Sequence, residues 1–543
     1  MPRRYFFAVL LLTVFSFNCK KNKSPDNGGG PTANSFVHAT GKTIVDANNQ
    51  EVQLKGVAFG NEVWSDADIP ITHHDEEDFK RVKEMNMNVI RFYINYKTLE
   101  SDSNPYTYKQ NGWDWLDKNI AWAKKYNIYL IINMHVPQGG YQSQGKGDAL
   151  WTNVENQNRL TALWKAIAEK YKDEPQVIGF GLVNEPVPTS SKLQWQQLAQ
   201  RITDEIRKVD RQHIVFIEKP IYVKGLYTED ADLNFPAIND NNKVYEFHIY
   251  DPILYTHQLF PWANSGEGGK YPDENIITYT NGNWYTATFD NPAINAGNNT
   301  WTYFEGVKYK ITDPKIKIGA PALVGANVGG KVYFDDMVIK EFDANGNFVQ
   351  DVITTSIDDL DGWSYWSSDN SGSNGLAAEG HSNTRSLFID GASADCNLSN
   401  FIKLFIPKQN YSYQINGWMK GENVAANAAC KLRIDFTTTS DPVLFRNKQS
   451  LESTLQKVID FGNSKNVPLY MGEFGAGIHC FENNKGGLQW VADMLDIAKA
   501  NHLHFTYHAY HEDSFGLYFG YGTLPDPTKV NQPLIDLMRE KLQ

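Results

Sequence analysis

The sequence predicts an α/β chain: eight strand–helix units closing a parallel (β/α)8 barrel, with an all-β sandwich inserted between strand 6 and strand 7. Three observations carry this. Apolar runs of strand length alternate with segments whose apolar residues recur at helical spacing. Two of those runs end in a glutamate, Gly181-Leu182-Val183-Asn184-Glu185-Pro186 and Leu469-Tyr470-Met471-Gly472-Glu473-Phe474-Gly475. The C-terminal ends of the strands are where a parallel barrel keeps its chemistry. Between the two runs, the stretch over residues 278–440 changes texture to Asn, Gly, Thr and Tyr in short alternating segments bounded by turn residues, which reads as an antiparallel sandwich.

Residues 1–19 read as an export signal rather than as part of the fold. Arg3 and Arg4 precede an apolar run from Phe6 to Phe17 that is short for a membrane span. Cys19 follows, and residues 20–34 form a polar Gly/Pro-rich tether. An export signal ending in Cys resembles a bacterial lipoprotein, which implies a lipid anchor at Cys19 and a place on the cell surface, with ordinary secretion as the alternative.

The barrel then occupies residues 35–277 and resumes over 441–543. A hairpin around Thr43–Asn49 leads into a first strand, Val52 to Phe59. Phe79, Val82 and Met85 set the first helix, Asn88 to Phe92 the second strand, and Trp113 to Lys125 the second helix. Ile128 to Asn133 is wholly apolar, as expected of a strand covered on both faces, and His135 ends it. Leu160, Leu163, Trp164, Ile167 and Tyr171 share one helix face, and a fourth strand is read as ending at Glu185. A helix through Leu193, Leu198, Ile202, Ile206 and Val209 precedes strands His213–Ile217 and Val244–Ile249. After the insertion come a helix (Leu451–Phe461), strand seven, a helix (Leu488–Ala500), strand eight (Leu503–Tyr507) and a last helix (Pro533–Leu542).

The second half of the insertion, from Gly362-Trp363-Ser364-Tyr365-Trp366 to Tyr411–Lys420, resembles the beginning of the jelly-roll carbohydrate-binding modules. Its first half, from Trp301–Gly306 to Val332–Ile339, resembles their end. The reversed order implies a circularly permuted jelly roll, which close chain termini make physically accessible. Trp363 and Trp366 are its candidates for stacking on sugar, and Asp335-Asp336 its candidate for a structural Ca²⁺. Cys396 and Cys430 are the plausible disulfide pair among the three cysteines that follow Cys19.

A net charge of −12 and a pI near 5.6 argue against nucleic acid, whose phosphates need a basic face, and suit a neutral glycan. No Cys/His spacing suggests a metal site, and no cofactor is expected. The 14 Trp, 28 Tyr and 29 Phe exceed what a core needs, so some are expected to line a ligand surface.

The strand-end residues carry the chemistry. Two carboxylates facing each other are the minimum for hydrolysing a glycosidic bond. Asn184-Glu185-Pro186, Met471-Gly472-Glu473-Phe474-Gly475, Arg91 after Asn88-Val89-Ile90, His135, and His248-Ile249-Tyr250 together resemble glycoside hydrolase family 5, whose members include cellulases and mannanases. The resemblance implies that Glu185 is the acid/base and Glu473 the nucleophile of a retaining enzyme. Arg91 and the Tyr250 hydroxyl would keep Glu473 ionised, Asn184 would bind the sugar 2-hydroxyl, and His135 and His248 would wall the central subsite. Where the family presents a Trp at the end of strand eight, this chain has His508. Trp262, Trp64 and Trp151 are the alternative stacking platforms. The expected substrate is a β-1,4-linked glucan cleaved by a monomeric enzyme, with β-mannan or xyloglucan as the alternative. A cell-surface glycan-binding protein is the alternative from another class.

Overall fold

The computed structural model describes residues 36–543, except residues 66, 225–234, 264 and 281. The export segment, the tether and Cys19 lie outside the described residues. Eight parallel strands close a barrel: β1 Lys55–Phe59, β2 Val89–Asn95, β3 Tyr129–Val136, β4 Val177–Gly181, β5 Ile214–Glu218, β6 Lys243–Ile249, β7 Leu469–Phe474 and β8 His504–Tyr507. β8 returns to β1 with Phe505 opposite Lys55 and Tyr507 opposite Val57. β6 and β7 are hydrogen-bonded neighbours, Leu469 opposite Tyr245, although the insertion separates them in sequence.

Among the described residues, seven helices of nine residues or more cover the barrel: α1 Glu76–Glu84, α2 Gln110–Tyr126, α3 Val154–Tyr171, α4 Lys192–Arg207, α5 Lys448–Lys465, α6 Gly487–Ala500 and α7 Gln532–Lys541. α1 starts where Asp75 accepts from the Glu77 amide and closes a capping box with Asp78. α2 and α5 end on Asn127 and Asn466 in left-handed conformation, which Asn adopts more readily than branched residues do. Their apolar faces bury Trp164, Trp195 and Trp490 completely between helices and sheet.

The barrel interior is layered. Its floor is apolar, built by Val89, Ile131, Ile178, Ile214, Phe216, Val244 and Tyr470. Side chains two residues on point the same way along a strand. The next inward layer is therefore Arg91 on β2, Asn133 on β3, Glu218 on β5 and Glu246 on β6, all buried and all polar or charged.

The structure shortens several expected strands. β1 begins at Lys55 and β4 ends at Gly181, so Glu185 sits in the loop beyond the strand rather than at its last residue. That loop turns sharply, with Glu185 at φ +45°.

The inserted residues form two antiparallel sheets. The five-stranded sheet runs Asn283–Ala287, Lys431–Thr438, Ile318–Gly325, Cys396–Asn400, Trp363–Ser367. The main path of the seven-stranded sheet runs Thr302–Glu305, Ser412–Glu422, Lys331–Phe342, Ser386–Asp390, Ser373–Ala377. Both sheets mix strands from the two halves of the insertion and enclose one core from Ile294 to Phe436. Asp273–Thr278 pairs with Leu444–Arg446, so the chain leaves and re-enters the barrel side by side. The Gly362 amide also donates to Glu267 O at 3.0 Å, tying the insertion to the loop after β6.

Three expectations for the insertion meet specific contacts. Cys396 and Cys430 are free, buried thiols, and Cys396 donates to Gly325 O instead of bonding its neighbour. Asp335 accepts from the His381 amide, and Asp336 from His381 Nδ1 and Ser382 Oγ, both at 2.7 Å. The oxygens assigned to a cation are thus engaged by hydrogen-bond donors. Trp363 lies in the core, whereas Trp366 is exposed.

Candidate active site

The open C-terminal end of the barrel brings Glu185, His248 and Glu473 together: a carboxylate oxygen of each glutamate and an imidazole nitrogen lie within 4.8 Å of one another. Glu473 lies within β7, next to His248 of β6 by strand register. Arg91 Nη1 and the Tyr93 hydroxyl each donate to its Oε1 at 2.6 Å, and the Tyr250 hydroxyl donates to Oε2 at 2.6 Å. Burial alone would push this carboxyl up. The positive charges of His248, His508 and Arg91 outweigh it and hold Glu473 well below the usual carboxylate range. Burial and the facing Glu473 charge push both tyrosines far up, so they stay protonated donors.

Glu185 is held differently. Its Oε2 accepts from Ser143 Oγ, and its Oε1 lies 2.9 Å from His248 Nδ1. A hydroxyl can donate to a carboxylate or accept from a carboxylic acid, so Ser143 suits both protonation states. The left-handed backbone at Glu185 precedes Pro186; such strain costs about 1–3 kcal/mol and persists where surrounding contacts fix the geometry. Asn184 is buried, its Oδ1 accepting from Arg91 Nη2 at 2.8 Å.

His248 sits between the two glutamates, its Nδ1 3.5 Å from Glu473 Oε2. Burial opposes its charge, but Glu218, Glu473 and the bond to Glu185 prevail, and its imidazolium persists well above the usual range. His135 takes the opposite course: burial holds it neutral, and its ring stacks on Tyr93 at 4.0 Å. It backs Tyr93 rather than touching either glutamate. His508 stands at the end of β8 with Nδ1 3.1 Å from the Tyr93 hydroxyl and 3.9 Å from Glu473 Oε2.

The aromatic platforms separate by exposure. Trp262 is half exposed and stacks on Phe260. It stands at the rim, reaching Tyr250 through His257 and Phe515, and His508 through Phe515. Trp64 is similarly exposed, edge-on to His135 at 6.3 Å. Trp151 is buried and donates to Gln142, so it offers no face to a sugar.

Sequence reasoning missed Tyr93, Ser143, Glu218 and Glu246. Tyr93 and Glu246 were within reach of strand alternation, each two residues from a recognised inward side chain, Arg91 or His248. Glu218 closes the apolar run Ile214–Ile217 much as Glu473 closes its own. Ser143 lies in a loop without periodicity.

Two groups have the donor spacing of a cation site: Glu185, His248 and Glu473, and Glu218, Glu246 and His248. Arg91 contacts both, through Nη1 to Glu473 and Nε to Glu246, and this permanent positive charge opposes a second cation.

Residues 45–304 match the sequence model of the family described as Cellulase (glycosyl hydrolase family 5). Endoglucanase C of Acetivibrio thermocellus is 31% identical over 203 residues, 37% of this chain and 58% of that protein. Cellodextrinase A of Ruminococcus flavefaciens is 28% identical over 205 residues, 36% of this chain and 58% of that protein. An endoglucanase of Paenibacillus polymyxa is 28% identical over 290 residues, 48% of this chain and 70% of that protein. The chain thus spans 58% of the length of the first of these relatives. A solved endoglucanase structure, 15% identical, aligns over 90% of this chain and 97% of its own with a TM-score of 0.47. Glu473 and His508 lie beyond the matched residues, and the fold alone carries them to the site. The matched segment, which holds Arg91, His135, Asn184, Glu185, His248 and Tyr250, is similar to the cellulases of glycosyl hydrolase family 5.

Proposed function

We propose that the chain is an exported retaining β-glycanase acting on a β-1,4-linked glucan. The single observation that carries the mechanism is the approach of Glu185 and Glu473 oxygens within 4.8 Å. Retaining enzymes hold their carboxyls about 5–5.5 Å apart, whereas inverting enzymes leave room for a water between them. The glucan is supported by the relatives named endoglucanase and cellodextrinase.

The reaction follows from the hydrogen bonds. Glu473 Oε1 is engaged by Arg91 and Tyr93, so Oε2, with one short donor, attacks the anomeric carbon. Glu185 gives its proton to the departing glycosidic oxygen, and His248 Nδ1 stabilises the carboxylate left behind. The glycosyl ester removes the charge of Glu473. Ionised Glu185 then takes a proton from the incoming water, and that water's oxygen displaces Glu473. Asn184, fixed by Arg91, supplies its amide to the sugar 2-hydroxyl.

Purified full chain on β-glucan, β-mannan, xyloglucan and xylan, with the first-formed anomer read by NMR, tests this. A β-anomer from glucan is expected, and Glu473→Gln should abolish release. An α-anomer first, or an active Glu473→Gln, overturns the assignment. The insertion we read as the permuted jelly roll, supported by the mixing of its two halves in both sheets. Export and lipid attachment rest on the pattern ending at Cys19. Fatty-acid labelling in a bacterial host should mark the parent and not Cys19→Ser.

A further inference from the structure

Beneath the catalytic pair the barrel holds two carboxylates that this mechanism does not use. Glu218 ends β5 and Glu246 lies in β6, with 3% and 1% of their surfaces exposed. Room for Glu246 is built in, because a Cβ on Gly472, the residue before Glu473, would stand 2.0 Å from its Oε1.

Both carboxylates face the two cations that serve the reaction. Arg91 Nε is 2.7 Å from Glu246, and its Nη2 is 3.5 Å from Glu218. His248 Nε2 is 3.4 Å from Glu218 and 3.6 Å from Glu246, while its Nδ1 points to Glu185. Glu218 is itself faced by Arg91 from β2, Glu185 from the loop after β4, and Glu246 and His248 from β6. The cluster therefore contains two cationic groups and four carboxyls. Two cations against four carboxyls leave an excess of acid, which favours a proton shared within the cluster, since net neutrality is the least costly state for charges removed from water.

We propose that Glu218 is a positioning residue of the reaction: by sharing a proton with Nε2 of His248 it keeps Nδ1–H as the donor to the acid/base Glu185. The proton on the Glu218–Nε2 line can reside on either atom, and in both cases the ring's other proton stays on Nδ1. When Glu185 gives up its proton to the leaving oxygen, that Nδ1–H is already in place to stabilise the new carboxylate. No proton is consumed, since water returns one to Glu185 in the second step. Without Glu218 the ring sheds a proton more easily, and Nε2 is left facing only Arg91 Nη2 at 3.3 Å and Glu246 at 3.6 Å. This role rests on the retaining-hydrolase reading above.

The test compares the parent, Glu218→Gln and Glu218→Asp as full chains. For each, kcat and KM on soluble β-glucan are measured from about pH 4 to pH 9, and the His248 imidazole is titrated by 15N NMR. Removing a facing carboxylate at this distance shifts a titration by about 1–3 units. In Glu218→Gln the alkaline limb of kcat and the His248 midpoint should both move down by that amount, with KM unchanged, and Glu218→Asp should recover part of the shift. A purely structural Glu218 would lower kcat or thermal stability and leave the limb in place. Superimposable profiles, or a His248 midpoint equal to the parent's, overturn the proposal. If the parent hydrolyses no glycan, the retaining-hydrolase reading fails, while the NMR midpoint still decides the Glu218–His248 pairing.

Discussion

Removing one hydroxyl tests how Glu473 is kept ionised. Tyr93→Phe deletes the 2.6 Å bond to Oε1 and leaves the ring that stacks on His135. A hydrogen bond to a charged group contributes about 1.5–3 kcal/mol. At about 1.36 kcal/mol per pKa unit, the Glu473 carboxyl should rise by about 1–2 units. Its folded-state value lies below the unfolded one of about 4.3. The stabilisation is therefore present above the unfolded value and lost as pH falls through the folded one. In Tyr93→Phe it should shrink by the same 1.5–3 kcal/mol at neutral pH, because the folded value moves toward the unfolded one. The assay is the acid limb of kcat/KM on soluble glucan, read beside denaturant unfolding at neutral pH. The limb should move to higher pH by about 1–2 units, with stability falling in parallel. An unmoved acid limb would refute the claim that Tyr93 holds the ionised form, whatever happens to stability.

Glu185→Gln should cut kcat/KM on glucan by about 10²–10⁴-fold and spare the first step with an aryl glycoside whose leaving group needs no proton, as a burst of phenol would show. Gly472→Ala forces a Cβ to within 2.0 Å of Glu246 Oε1, so it should cost about 1–3 kcal/mol in denaturant unfolding and lower kcat through Arg91. Cys396, Cys430 and Cys480 should each accept an alkylating agent in the denatured, unreduced protein, read by mass; protection of two of them would show a disulfide.

The barrel was legible because most of its strands are built on short apolar runs and because a parallel barrel exposes its reactive residues at strand ends. Arg91, Glu473 and His248 could be found this way, since the neighbouring strands supply their partners in register. Glu185 was recognised, but its position was not. The tripeptide ending in Pro186 extended the apparent strand, while the chain turns after Gly181 and enters a left-handed conformation at the glutamate. The residue before a proline is steered away from the right-handed helical region, which is consistent with a turn but does not announce one.

What stayed hidden is the chemistry made by closure. Glu218 looks like an ordinary polar end of an apolar strand, and Glu246 like a stray polar residue within one, until the barrel shuts and both face Arg91 and His248. The insertion shows the same limit at larger scale: Thr302–Glu305 pairs with Asn416–Met419, residues no local pattern links. Alternation along a strand shows which side chains point inward, and closure decides what they meet. An inward carboxylate two residues from a known inward cation is therefore the most informative local sign. Glu246, two residues before His248 on β6, fits that rule and tests it. Glu246→Gln should weaken the hold on Arg91 Nε and lower kcat without moving KM, whereas a raised KM with kcat unchanged would assign Glu246 to substrate binding and break the rule.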